Sequence, residues 1–328
     1  MQTFDTHVCI VSGEPLPNYL PAISKEIGRK KIVLLESPAM RGKADLLEAA
    51  LKQKQRTVER CMIDDKSNLA LFRQQIQTVL SQHPNAALNA TGGLKTMSLV
   101  AHQVFSEAGR PVFYSERDNR IIWLNPIETP QQRLPGILDI DDYFTVFGQP
   151  LNKIQRAPLA NDGGDAMLNT LQALSKASQG DHERMGERFE SLVFRAATAA
   201  LAALPAAGKQ DVAWGVKTSG GTESNEFDVL ITRNNILFMI ECKNTRNTDD
   251  LANFIYKLEN LRRNRGITAR AALITTARVA ADGGNAKRAT DNRITHWGTQ
   301  CKQPSQQENS KLNVFNFSTT LPRHAGRW

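Results

Sequence analysis

The sequence predicts an α/β protein of two domains, each with its own sheet. Three observations carry that prediction. Strand and helix signals alternate over residues 1–125, the pattern of a mainly parallel, doubly wound sheet. Residues 126–180 turn rich in Pro, Gly and Asp ("NPIETPQQRLPG", "LANDGGDAM") and read as a linker, with one short helix at Met167–Ala177. From Asp181 a fresh pattern of helix and strands runs through residues 181–328.

The elements follow in order. "THVCIVSG" is an apolar run short enough for a buried strand. "PNYLPAISKEIG" places Pro near the start of a short helix and Gly28 at its end. "KKIVLLES" is a second strand, and "ADLLEAALKQKQ" and "NLALFRQQIQTVLSQ" have helical periodicity. "NAALNATGG" is a strand running into glycines, "LKTMSLVAHQVFSEAG" a helix, and "RPVFYSE" and "RIIWLNP" two further strands. In the second half, Met185, Phe189, Leu192, Val193, Ala196, Ala200 and Leu204 fall at helical spacing. Two apolar strands follow around "TRNN", then a helix at "DDLANFIYKLENLRRNRG" and a strand at "ARAALITT".

Composition excludes several classes. No apolar run approaches the ~20 residues of a membrane helix, and the N-terminus lacks the pattern of a signal peptide. Cys9, Cys61, Cys242 and Cys301 are scattered without a CxxC pair, as expected for a reduced, cytoplasmic protein without structural zinc or disulfides. No histidine pair has HxH or HxxxH spacing. The net charge is +8. Residues 1–180 hold 20 Lys and Arg against 18 Asp and Glu, and residues 181–328 hold 21 against 15. The more basic second half suits a phosphate-rich partner.

The chemistry concentrates in "NEFDVLITRNNILFMIECKN", Asn225–Asn244. If Asn234 and Asn235 are the central residues of a tight hairpin, counting outward sets Asp228 opposite Glu241 and Glu226 opposite Lys243. Alternation then gives Glu226, Asp228, Glu241 and Lys243 one face, and Phe227, Val229, Ile240 and Cys242 the other. Directly opposed carboxylates repel. A divalent cation between them turns that cost into binding, and Mg²⁺ or Mn²⁺ prefers such oxygens. Lys243 would then orient a water or stabilise charge on phosphate oxygens. Glu190, at the edge of the apolar face of the preceding helix and one turn after Gly186, is a candidate third acid. A cross-strand Glu226–Lys243 salt bridge is expected with or without a metal site, and the alternative to that site leaves Asp228 and Glu241 solvated at the end of a half-exposed sheet.

"GERFE" in a helix, then "NEFDVL", then "ECK" closing a strand, resembles the PD-(D/E)XK restriction-endonuclease-like core. That family cleaves phosphodiester bonds with Mg²⁺ or Mn²⁺. The resemblance implies Glu190, Asp228, Glu241 and Lys243 as catalytic residues and Asp228 and Glu241 as metal ligands. Downstream, Arg262, Arg263 and Arg265 form a basic cluster. They suit either the helix dipole or contacts with a nucleic-acid backbone.

"NAALNATGGLKTMS" ends a strand, turns at Thr91-Gly92-Gly93 and opens a helix, where free backbone N–H groups favour anions. Lys95 and Thr96 add a charge and a hydroxyl. The spacing is neither GxxxxGK[ST] nor GxGxxG, and a tight turn with no ligand is the alternative. "VSGEPLPNYLP", after the first strand, should emerge at the same sheet edge. Taken together, "SGEPLPNYLPAI", "NATGGLKTMS" and "NEFDVL…ECK" resemble the CARF-domain effector nucleases of type III CRISPR systems. These fuse a Rossmann-like sensor to a PD-(D/E)XK domain. The resemblance implies a homodimer that binds a cyclic oligoadenylate, usually cyclic tetra-adenylate, and then cleaves DNA, RNA or both. Ser12, Gly13, Asn18, Thr91, Gly92, Gly93 and Lys95 would line the ligand site.

Two other readings stay open. One is a CARF-containing regulator that binds nucleic acid without cutting, and the other is a constitutive repair or restriction nuclease. A HEPN ribonuclease is disfavoured, because no histidine completes R-x4-H.

Overall fold

The computed structural model describes residues 4–63, 68–160, 182–205, 208–219, 225–245, 250–276 and 283–297. They form two compact units, one running to Ile137 with Asp142–Gly148, the other comprising Leu138–Asp141 and the chain from Gln149.

The first unit holds a seven-stranded sheet. Its strands are β1 (Thr6–Ile10), β2 (Lys31–Glu36), β3 (Thr57–Met62), β4 (Ala86–Asn89), β5 (Val112–Ser115), β6 (Arg120–Asn125) and β7 (Gln132–Arg133), in the order β3-β2-β1-β4-β5-β6-β7. β3 to β5 are parallel, and β6 and β7 add antiparallel at one edge. The central strands are buried on both faces, so they read as unbroken apolar runs. Helices α1 (Leu16–Ile23), α2 (Arg41–Gln53), α3 (Leu69–Gln82) and α4 (Lys95–Glu107) connect the parallel strands. Strand order reverses between β1 and β4, whose registers align Cys9 with Asn89. The loops leaving these strands therefore emerge side by side at the carboxyl edge, where ligands of such sheets bind.

Three expectations need correction here. β3 escaped the sequence reading because "TVERCM" is polar and only half-buried. Its charges are spent in pairs, Arg60 with Glu36, Asp45 and Glu48, and Glu59 with Lys31 at 3.1 Å. Gly28 does not end α1, which stops at Ile23. It is needed because a Cβ there would overlap the Ser24 and Ala22 carbonyls. The stretch read as a linker contains β7, α5 (Ile140–Val146) and β8 (Leu151–Gln155). The helix expected at Met167–Ala177 lies outside the described residues.

In the second unit, β8 joins β9 (Gln210–Thr218), β10 (Glu226–Arg233), β11 (Ile236–Lys243), β12 (Arg270–Thr275) and β13 (Ile294–Trp297) in the order β13-β12-β11-β10-β9-β8. β8 to β11 form an antiparallel meander, and β11 to β13 are parallel. α6 (His182–Ala202) buries Phe189, Val193, Ala197 and Leu201 against Trp214, Val229, Ile240 and Cys242. α7 (Leu251–Arg263) links β11 to β12, and α8 (Gly284–Asp291) links β12 to β13. Among the described residues, no helix is long and apolar enough to cross a membrane.

Candidate active site and anion loop

Asn234 and Asn235 both adopt the left-handed conformation, with φ of 51° and 59°. This is the backbone that a two-residue hairpin requires and that Asn tolerates. The ladder then runs Arg233–Ile236 to Val229–Ile240, the register counted from the sequence. Asn235 is also tied down from outside the hairpin, because its Oδ1 accepts the Leu138 N–H at 3.2 Å.

Past Val229–Ile240 the regular pairing stops. The Asp228 carboxylate accepts the Cys242 N–H at 2.6 Å, replacing a backbone acceptor with a charged side chain. Asp228 is 7% exposed and Glu241 3%. The Lys243 ammonium lies 2.8 Å from Glu241 Oε1 and 3.8 Å from Asp228 Oδ2. The closer contact is an ion pair with poor angles, since Glu241 Oε1 accepts no aligned hydrogen bond.

The expected Glu226–Lys243 bridge is absent. Glu226 pairs instead with Lys217 of β9 at 3.1 Å, because Lys243 has turned to the two inner acids. Phe227 also departs from expectation. Val229, Ile240 and Cys242 join the core under α6, whereas the Phe227 ring lies 5.3 Å from the Arg265 guanidinium.

The electrostatics follow from burial. Loss of water, then the Glu241 charge, pushes the Asp228 carboxyl up to about 7. Loss of water, then the charges of Asp228 and Glu226, pushes Glu190 up to about 8. Glu190 thus belongs to the electrostatic neighbourhood of the hairpin acids. Burial pulls Lys243 down, but Asp228 and Glu241 hold it above its ordinary value, so it stays an ammonium.

These oxygens fit a hard dication. Among the described residues, no three His, Cys, Asp or Glu converge to enclose an ion. Asp228 and Glu241 instead offer two carboxylates, a donor set Mg²⁺ accepts when water and phosphate complete its shell. Asp228 and Glu190, both raised by burial and neighbouring charge, are the kind of acids that a nearby cation relieves.

The arginine cluster divides: Arg262 and Arg263 share one carboxylate, and Arg265 is buried. Glu259 accepts from Arg262 at 2.7 and 2.8 Å and from Arg263 at 2.6 Å. Arg265 is 1% exposed and therefore cannot contact a nucleic-acid backbone, contrary to expectation. Two residues escaped the sequence reading. Phe254 supports Lys243, whose ammonium lies 4.8 Å from its ring. Lys257, one helical turn later, reaches 3.6 Å from Glu241 Oε1. The i, i+3 spacing on the helix after "ECK" was the available signal.

At the glycine loop, the side chains divide into frame and surface. Asn18 is buried and donates to the Ile10 carbonyl at 2.8 Å, and its own Oδ1 accepts from Asn89 at 3.2 Å. Thr91 donates to Asn89 Oδ1 at 2.6 Å and accepts the Ser115 N–H at 2.8 Å. Both are expected to line a ligand; in the fold Asn18 ties the β1 loop to β4, and Thr91 ties the glycine loop to Asn89 and β5. Ser12 donates to the Glu14 carbonyl at 3.1 Å. A Cβ at Gly92 would overlap the Ile10 carbonyl, and Gly93 has φ of 81°. Gly13, Gly93 and Lys95 face outward. α4 begins with no side-chain cap, so its first N–H groups remain available.

Comparison with known proteins agrees with this geometry. Residues 6–143 match the family model of the Card1 CARF domain, and residues 185–306 match that of the Card1-like endonuclease domain. No curated protein sequence matches the chain. Solved structures share the fold, and three of them follow. Can2 from Sulfobacillus thermosulfidooxidans, solved in complex with cyclic tetra-adenylate, is 21% identical with a TM-score of 0.72, over 89% of this chain and 93% of that one. Protein VC1899 from Vibrio cholerae is 21% identical with a TM-score of 0.73, over 90% and 94%. A type III CRISPR defence DNA nuclease activated by cyclic oligoadenylate is 16% identical with a TM-score of 0.70, over 99% of this chain and 52% of that one. With the Card1 CARF domain and the Card1-like endonuclease domain matched in one chain, this protein belongs to the CARF-domain nucleases.

Proposed function

We propose that the protein is an endonuclease switched on by a cyclic oligoadenylate, with cyclic tetra-adenylate as the activator and Mn²⁺ or Mg²⁺ as the required metal. The observation that carries this reading is the end of the β10–β11 hairpin. There Asp228 and Glu241 are buried together, Asp228 is fixed by the Cys242 N–H, and Lys243 reaches both. Asp228 and Glu241 would hold the ion. Bound there, it supplies Lewis acidity toward a water and a phosphate oxygen. Lys243 keeps its proton, so it can orient a water or stabilise charge on the phosphate oxygens. Glu190 can exchange a proton near neutral pH, which suits an acid–base partner of that water.

The activator would sit where the loops after β1 and β4 meet. Backbone N–H groups of the uncapped α4 start and the Lys95 ammonium suit its phosphates. Gly13 and Gly93 allow close approach, and Asn18, Asn89 and Thr91 hold the loop pair in shape. A ring of two-fold symmetry suits one loop set from each protomer of a homodimer. Cys9, Cys61 and Cys242 are free, as the cytoplasm would keep them.

The test is a supercoiled plasmid, and in parallel a labelled RNA, incubated with Mn²⁺ with and without cyclic tetra-adenylate. Cleavage only with both is the expected result. Binding without cleavage would support the regulator reading. Equal cleavage without activator would support a constitutive nuclease.

A further inference from the structure

Lys257 lies on α7, outside the carboxylate–lysine motif, yet its ammonium stands 3.6 Å from Glu241 Oε1. Lys243 stands 2.8 Å from the same oxygen. One buried carboxylate oxygen thus faces two ammonium groups, and it accepts no aligned hydrogen bond. The two lysines are held very differently. Lys243 is 26% exposed, reaches two acids and packs on Phe254. Lys257 is 54% exposed, and Glu241 is its only ion pair among the described residues. At 3.6 Å the Lys257 ammonium is beyond hydrogen-bond distance of that oxygen, and four methylenes give it a long reach.

We infer that Lys257 is a phosphate-binding residue of this active site, leaving Glu241 for a nucleic-acid phosphate when a dication takes the carboxylate. The inference rests on the nuclease reading above. A dication on Glu241 repels both ammoniums, and Lys257 is the one free to swing outward. Of the three arginines of the same segment, Arg265 is buried, and Arg262 and Arg263 are both paired with Glu259, not with the hairpin acids. Lys257 is thus the more exposed of the two ammoniums at Glu241 and the one placed to meet a phosphate there.

The experiment measures binding of a fluorescent oligonucleotide to the full chain over a salt series. Activator is present, and Ca²⁺ replaces Mn²⁺ to arrest cleavage. Lys257→Ala is expected to weaken binding about tenfold, the loss of one charge-assisted hydrogen bond. The slope of log K against log salt should fall by about one phosphate contact. Lys257→Arg should restore the slope. Lys257→Met keeps the stem and guards against a packing effect, and should behave like the alanine variant. An unchanged slope in Lys257→Ala and Lys257→Met would overturn the inference, even if cleavage falls, because Lys257 would then only neutralise Glu241. The nuclease reading fails differently: wild type would leave plasmid uncut with Mn²⁺ and activator.

Discussion

At the end of the β10–β11 hairpin, two carboxylates are buried together with a third nearby, and two of the three are raised to about 7 and 8 by lost water and mutual repulsion. In the loop after β4 the reverse holds. Asn18, Asn89 and Thr91 spend their polar atoms on one another and on the backbone, leaving glycines, helix N–H groups and one lysine outward. The first region gathers carboxylates that a cation would relieve. The second has its side chains satisfied and leaves backbone N–H groups for an anion. A site that must wait for a signal suits the second design, and a site that must hold reactive charge suits the first.

The sharpest break in this comparison comes from Glu241→Ala and Lys243→Ala. Each should cut cleavage by at least ~10²-fold, the scale of losing a group that stabilises transition-state charge. Activator binding should survive, as measured by calorimetry with cyclic tetra-adenylate. Parallel loss of ligand binding would merge the two regions into one.

The loop has its own test. Gly92→Ala places a Cβ on the Ile10 carbonyl, so the β1 and β4 loops must part. It should abolish activator binding and cost the sensor domain about 2 kcal/mol, read by thermal unfolding. Lys95→Ala should weaken activator binding about tenfold without lowering Tm, as loss of one charge-assisted contact does.

The hairpin acids also write a pH signature. Asp228 and Glu190 hold protons more tightly in the folded chain than unfolded. Folding then favours the protonated forms, so stability is lost as pH rises from about 4 to about 8. In chelator, Tm should fall across that range, and Asp228→Asn should flatten the fall. Mn²⁺ should oppose it most strongly at the alkaline end. A metal-free pH dependence of Tm that is the same in Asp228→Asn as in wild type would contradict the assignment. The smallest effect is expected for Asn235→Ala. It removes one hydrogen bond and puts Ala at φ of 59°, costing about 1–2 kcal/mol in chemical denaturation.

Much of this site was legible because two local rules agree. Asn-Asn chemistry fixes the turn, and the two-residue period of a strand carries the register outward to Val229–Ile240. The failure begins where the ladder does. Counting assumes that pairing continues, but the Asp228 side chain takes the Cys242 N–H, and Glu226 is left to Lys217. Arg265 was misjudged for a similar reason. It follows the end of α7 at Arg263, so helical reasoning no longer says where it points. β3 hid behind Glu59 and Arg60, whose partners are distant in sequence. β9 went unmarked because Asp211 and Gly215 break its alternation, and Asp211 is in fact neutralised by Arg156 at 2.8 Å. Asn18 and Thr91 were correctly placed at the loop, but sequence does not distinguish a residue that touches a ligand from one that shapes its cradle.

The central claim is that the buried carboxylates at the hairpin end exist to hold a dication. Calorimetric titration of Mn²⁺ at pH 7, in two buffers of different ionisation enthalpy, tests it most directly. The account predicts saturable uptake with release of protons from Asp228 and Glu190, lost in Glu241→Ala. No uptake, or uptake unaltered in that variant, would contradict it.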